Sequence, residues 1–167
     1  RPFVVGGKPV EPLRDVADHR AHPFADRGVA APRRRDPLTG DLHAVSYYWG
    51  WGNRVDYTVL GGDGRITHRR SIDTTGSPMI HDMSLTERFA VVYDLPVAFD
   101  LDAATAGSLL PYTWMDDYPA RLGFVPRLDG PDADGDVRWI DIDPCYVFHP
   151  MNAYDVLDAD GTASGVG

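Results

Sequence analysis

Two histidines of this chain sit in similar local settings. His81 lies in "MIHDM" and His149 in "YVFHPMNA", each beside apolar residues and close to a bend. At such a place a β-rich fold presents side chains toward a mouth or loop surface. Neutral imidazoles suit a first-row metal such as Fe(2+), with the second ring nitrogen oriented by a carboxylate. Spacing alone does not make these two a metal motif, and a structural role for each stays open. His19, His22, His43 and His68 read as surface or hydrogen-bonded structural residues. His68 is in "THRR", where neighbouring positive charge disfavours a bound cation, and His43 is expected mid-strand and facing outward.

Rival chemistry is thin. Asp132, Asp134 and Asp136 supply oxygens at alternate positions, as calcium prefers, but the loop lacks the bidentate Glu and flanking helices of an EF-hand. A solvated hairpin turn is the simpler reading. Cys145 follows Pro144 and reads as a small core residue. Tyr47, Tyr48, Trp49 and Trp51 could line an apolar ligand site, although packing is the commoner use of such a cluster. Nucleotide-binding and hydrolase signatures such as G-x-G-x-x-G, the P-loop, G-x-S-x-G and H-E-x-x-H do not occur.

The elements that must position these residues are strands. Helical periodicity is nearly absent, while short β-branched and aromatic runs recur between Gly, Pro and Asp clusters; 17 glycines and 14 prolines provide the turns. "LHAVSYYW" (42–49) and "RVDYTVL" (54–60) are expected to pair, and "GGDG" (61–64) closes a hairpin onto "RITHRRSID". "PMIHDMSLT" and "RFAVVYDLPV" form the next pair around Glu87, and "ARLGFVPRL" pairs with "VRWIDID". "DLDAATAGSLL" is the one plausible helical turn, and "PCYVFHPMNAYD" (144–155) is expected as the last strand. The expected organisation is a single partial domain over 1–167: mostly irregular at 1–40, strands over 41–155, and a flexible Gly-rich tail at 156–167. Consecutive hairpins fit a sandwich, an open barrel or propeller blades, and periodicity does not choose among them.

Bulk composition narrows the partners. A chain of 167 residues with 43% apolar content can form one domain with a core. A net charge of -9 argues against nucleic acid or an anionic membrane surface as the main partner. One cysteine excludes an intrachain disulfide framework and thiolate-rich zinc sites, which fits a cytoplasmic location. No stretch is long and apolar enough to span a bilayer.

Four segments in order carry a resemblance: "RRRDPLTGDLHAVSY", "MIHDMSLTERFAVVYDLPV", "ARLGFVPR" and "RWIDIDPCYVFHPMNAYD". Together they span residues 33–155, and they resemble the carotenoid cleavage oxygenases, a family that includes stilbene-cleaving dioxygenases and retinal pigment epithelial membrane protein-like members. The resemblance implies an all-β fold, a partial seven-bladed β-propeller of which this chain would supply roughly three to four blades. It also implies a non-haem Fe(2+) held by four histidines, with glutamates orienting some of them. Such enzymes split a conjugated carbon-carbon double bond of a carotenoid, apocarotenoid or stilbene with O2, giving aldehydes or ketones. His81 and His149 fall on two of the iron ligands. The apolar polyene or stilbene and O2 are the implied partners, with peripheral membrane contact in the full-length protein and no nucleic acid.

The departures matter equally. The family's first ligand stands in an Ala-His-Pro stretch before the Asp-Pro-x-Thr-Gly turn, and here "VAAPRRRDPLTG" puts Pro32 there, or Ala31 with a one-residue shift. His22, in "RAHPFADRG", carries the same triplet but lies 14 residues before Asp36. The fourth ligand belongs near the end of a full-length member, so the chain reads as roughly the middle third of such an enzyme. The alternative is an inactive fragment or degenerate paralogue, at most an apolar-ligand-binding β-domain.

Overall fold

Glycine- and aspartate-rich turns between β-branched runs fold this chain into antiparallel hairpins. The computed structural model describes residues 4–5, 8–9, 32–130, 132–151, 153–161 and 163–167. His19 and His22, and nearly all of the segment expected to be irregular before residue 32, lie outside the described residues. Near the start, β1 (Val4–Val5) pairs with β2 (Lys8–Pro9).

The first large sheet is a four-stranded meander. It orders β3 (Arg34–Arg35), β4 (Leu42–Tyr47), β5 (Arg54–Leu60) and β6 (Ile66–Asp73) side by side, all antiparallel. The β4–β5 connection is a 3-10 turn at Trp49–Trp51 that ends on Gly52, and the β5–β6 hairpin turns at Gly64; their φ values of 71° and 78° are conformations glycine adopts without a Cβ clash.

The second sheet draws on a longer stretch of chain. After β7 (Ser84–Leu85) and β8 (Phe89–Asp94) the chain leaves the sheet through β9 (Val97–Phe99), α1 (Leu101–Thr105) and β10 (Tyr112–Trp114). It returns as β11 (Arg121–Pro126) and β12 (Arg138–Asp141), giving the order β12-β11-β8-β7. Asp100 caps α1 by accepting from the Ala103 N–H at 3.0 Å, so the expected helical turn is real but only five residues long. Thus two four-stranded sheets and three two-stranded hairpins stand among the described residues where roughly three to four blades were expected.

One core joins the two sheets. Val45, Val55, Tyr57, Val59 and Ile72 come from the first, Ala90, Val92 and Val125 from the second, and Ile80 and Met83 from the segment between them. Burying an aliphatic side chain of this size contributes about 1.5–3 kcal/mol, so Ile80 and Met83 fix the path of the chain on either side of His81.

Three strand expectations need correction. Residues 78–83 form no strand beyond a bridge from Pro78 to Ala98, because the Asp82 carboxylate takes the Met83 N–H at 2.8 Å in place of a neighbouring strand. Residues 144–150 form no strand either: Pro144 and Pro150 have no N–H to give a ladder. The expected flexible tail contains a hairpin, β13 (Asp155–Leu157) with β14 (Ala163–Val166). The Asp155 carboxylate anchors it by accepting from Thr86 Oγ1 at 2.7 Å and from the Arg88 N–H at 3.0 Å.

Candidate metal centre

His81 projects from a segment that is otherwise buried. Met79, Ile80, Asp82 and Met83 are all buried, and Met79 is held by its N–H donating to Val97 O at 2.8 Å, which leaves His81 half-buried between anchored neighbours. The strand-free segment 144–150 lies against this one. Tyr146 donates from its hydroxyl to Met79 O at 3.1 Å, and Phe148 sets its ring edge-on to Tyr146 at 4.7 Å and to His81 at 5.6 Å. His149 is exposed, and its ring meets that of His81 edge-to-face at 4.9 Å between centroids, with an interplanar angle of 80°. The fold therefore brings together the two histidines singled out in the sequence.

Two imidazoles at this separation fit two positions in the coordination shell of a first-row metal such as iron. Asp82, although next to His81, does not orient it: its carboxylate oxygens accept from Arg34 and from the Met83 N–H. Glu87 is exposed at the β7–β8 turn.

His43 was expected to face outward and is instead fully buried. Strand β4 is covered on both faces, so four consecutive residues of "LHAVSY" are buried and no alternation betrays an outer face. Its Nδ1 lies 2.7 Å from the Tyr57 hydroxyl, whereas Nε2 is buried without a hydrogen-bond partner and lies 3.9 Å from Asp129 Oδ2. Burial first, and then the charge of Arg127, pull His43 below its ordinary pKa of 6.5, so it is neutral at pH 7 and the 3.9 Å approach is no ion pair.

Arg127 dominates this second cluster. Its Nε donates to Asp129 Oδ1 at 2.9 Å and its Nη2 to Asp129 Oδ2 at 2.5 Å, while Nη2 also donates to Asp36 Oδ2. Burial raises Asp36, but hydrogen bonds from the Leu38 N–H and Arg127 outweigh it and hold the carboxyl below its usual range. Asp129 is held low chiefly by its hydrogen bond from Arg127. Ligand atoms of Asp36, His43 and Asp129 do lie within 4.8 Å of one another, yet the guanidinium already supplies the cation that both carboxylates need. Asp132, Asp134 and Asp136 form no such group among the described residues, and Arg70 donates to the Gly135 carbonyl of their loop at 2.6 Å.

The aromatic cluster divides. Trp49 stacks on Phe99 at 5.0 Å, Phe99 meets Tyr112 at 5.9 Å, and Tyr112 meets Tyr47 at 5.8 Å. Burial and then the proximity of Tyr47 push the Tyr146 hydroxyl up to about 12, and Tyr146 leads through Phe148 to His81. One run of rings thus joins half-exposed Trp49 to Tyr47, and a second joins Tyr146 to the histidine pair. Phe99, Tyr112 and Tyr146 were missed because nothing in their spacing ties them to Tyr47 or His81. Cys145 is only partly buried, not a core residue. A separate cavity of about 660 Å³, with Arg33, Arg35, Asp36, Thr86 and Tyr154 in its wall, includes neither His81 nor His149.

Comparison with known proteins gives a consistent result. The sequence model of a family described as "Retinal pigment epithelial membrane protein" matches residues 10–164. A carotenoid cleavage oxygenase of Mycobacterium tuberculosis is 40% identical over 165 aligned residues, covering 76% of this chain and 32% of that protein. A chloroplastic 9-cis-epoxycarotenoid dioxygenase of Arabidopsis thaliana is 30% identical, covering 81% of this chain and 23% of the relative. The crystal structure of Pseudomonas brassicacearum lignostilbene dioxygenase superposes with a TM-score of 0.57 at 27% identity, over 77% of this chain and 26% of that one. Cobalt-substituted Synechocystis apocarotenoid oxygenase superposes at a TM-score of 0.63 and 21% identity, over 78% of this chain and 28% of that one, a likeness of fold. The chain spans about a third or less of the length of these relatives.

Proposed function

The chain belongs to the retinal pigment epithelial membrane protein family, that of the carotenoid cleavage oxygenases, and on that premise we propose that it supplies part of the iron centre of a dioxygenase that splits a conjugated carbon-carbon double bond. The observation that carries this reading is the pair His81 and His149, whose rings meet at 4.9 Å from segments far apart in sequence. Both would bind Fe(2+) through a neutral ring nitrogen, and two further ligands would have to come from outside the pair. When bound, Fe(2+) supplies the redox chemistry that lets O2 react with an alkene.

The chain's own residues do the rest. Ile80 and Met83, buried on either side, hold the His81 backbone, and Phe148 keeps one flank of the pair apolar. The run Trp49–Phe99–Tyr112–Tyr47 and the pair Tyr146–Phe148 offer ring faces and edges that suit a carotenoid, apocarotenoid or stilbene. One alkene and one O2 give two carbonyl products, aldehydes or ketones. A cytoplasmic location with peripheral membrane contact belongs to the same reading, and cell fractionation tests it. No helix among the described residues is long and apolar enough to cross a membrane.

Iron analysis of the purified chain tests the proposal. Near-stoichiometric iron that is lost in both His81→Ala and His149→Ala is expected, and an unmodified chain without iron overturns it. A second reading, an apolar-ligand-binding β-domain without catalysis, is favoured by Pro32, a residue with no side-chain donor where the family's Ala-His-Pro histidine is expected. Retention of a stilbene or polyene by an iron-free chain would favour that reading.

A further inference from the structure

Arg34 reaches both histidine-bearing segments at once. Its Nη2 carries two protons and meets two acceptors: Asp82 Oδ2 at 2.5 Å and Pro150 O at 3.0 Å. Its Nε faces Asp82 Oδ1 at 3.2 Å and Met83 O at 2.9 Å. Asp82 directly follows His81, and Pro150 directly follows His149. One guanidinium therefore ties together the residues that succeed the two candidate ligands.

The tie has a counterpart on the other side of the pair. Tyr146, three residues before His149, donates to the carbonyl of Met79, two residues before His81. The two segments are thus bracketed, by a tyrosine hydroxyl ahead of the imidazoles and by an arginine behind them. Position 144–150 needs such brackets because it lies outside any sheet ladder. The buried Asp82 side chain, 3% exposed, gives Arg34 a fixed, charged anchor, so the link from Arg34 to Pro150 is held by a bidentate ion pair.

We infer that Arg34 is the positioning residue that holds His149 against His81, in the geometry two iron ligands need. This rests on the iron reading above for its purpose, while the bracket itself is a property of the metal-free chain. Lysine does not replace it: an ammonium can pair with Asp82 but lacks the planar fork that meets the carboxylate and Pro150 O together.

The test uses the full chain without metal and then with cobalt(II), whose visible spectrum reports imidazole ligation. Rings 4.9 Å apart place His81 and His149 protons within reach of a nuclear Overhauser cross-peak. Arg34→Met is expected to abolish that cross-peak and to weaken cobalt binding about 10- to 100-fold, the usual effect of removing a residue that orients metal ligands. Arg34→Lys is expected to weaken both by less, and it decides the matter if Arg34→Met does not fold. Arg127→Met serves as the structural control: it should lower stability and keep the cross-peak at temperatures where it is folded. An unchanged cross-peak in both Arg34 variants overturns the bracket. Absence of cobalt binding by the unmodified chain, or binding that survives His81→Ala and His149→Ala, overturns the iron reading and leaves the cross-peak to judge the bracket alone.

Discussion

The surroundings of His43 and of the His81–His149 pair differ in how their polar groups are satisfied. Around His43 the protein provides its own partners: Tyr57 for Nδ1, and Arg127 for the carboxylates of buried Asp36 and of Asp129 at the cluster's exposed edge. Around His81 and His149 it provides a second imidazole and aromatic edges, with one ring half-buried and the other exposed. An arginine takes part in both places but to different ends. Arg127 neutralises buried charge between the turn after β3 and the end of β11, whereas Arg34 grips Asp82 and Pro150 beside the imidazoles. The difference is that Arg127 bonds the carboxylates of its cluster directly, whereas Arg34 bonds the residues that follow the two imidazoles and not the rings themselves.

The largest effect that tests this contrast is Arg127→Met. Leaving the buried Asp36 carboxylate without its cation should cost about 3–5 kcal/mol, read as a lower urea midpoint. A neutral result would remove the structural half of the comparison. Next comes Tyr57→Phe, which leaves His43 Nδ1 as well as Nε2 without a partner and should cost about 1–3 kcal/mol.

Acid lability follows from the same cluster. The unfolded chain takes up a proton at His43 near 6.5, whereas in the folded chain burial and Arg127 hold the pKa lower. Below that value the unfolded state binds more protons, so stability is full above about 6.5 and declines as pH falls toward the folded pKa. Asp36 and Asp129, both held below 3.8, extend the loss at still lower pH. His43→Gln should flatten the slope of stability between pH 7 and pH 5, and an unchanged slope would mean that His43 does not titrate there. The smallest effect on stability belongs to His149→Ala, expected within about 0.5 kcal/mol because the side chain is exposed. A large loss there would make the pair a structural element after all.

Much of the strand order was legible. The β4–β5 and β5–β6 hairpins, the β7–β8 turn at Glu87 and the pairing of β11 with β12 all follow from short β-branched and aromatic runs and the turn residues between them. The outward orientation expected for His43 failed because a strand buried on both faces carries no period of two. The strand expected at 144–155 failed because apolar and aromatic content resembles a strand even where prolines prevent pairing. The tail hairpin went unseen because its anchor, Asp155 on the β7–β8 turn, is a contact between residues 69 apart.

By itself, the sequence determined the β class, the local hairpins and the two histidines worth following, since each depends on residue type or on neighbours a few positions away. Only the tertiary structure decided that His81 and His149 meet, that His43 is buried, and that Arg34 and Arg127 hold these places together. Arg34 reaches across 48 residues to Asp82 and 116 to Pro150, and Arg127 across 91 to Asp36. Contacts of that separation leave no periodic trace, because they arise from how sheets and strand-free segments pack and not from the course of any one strand.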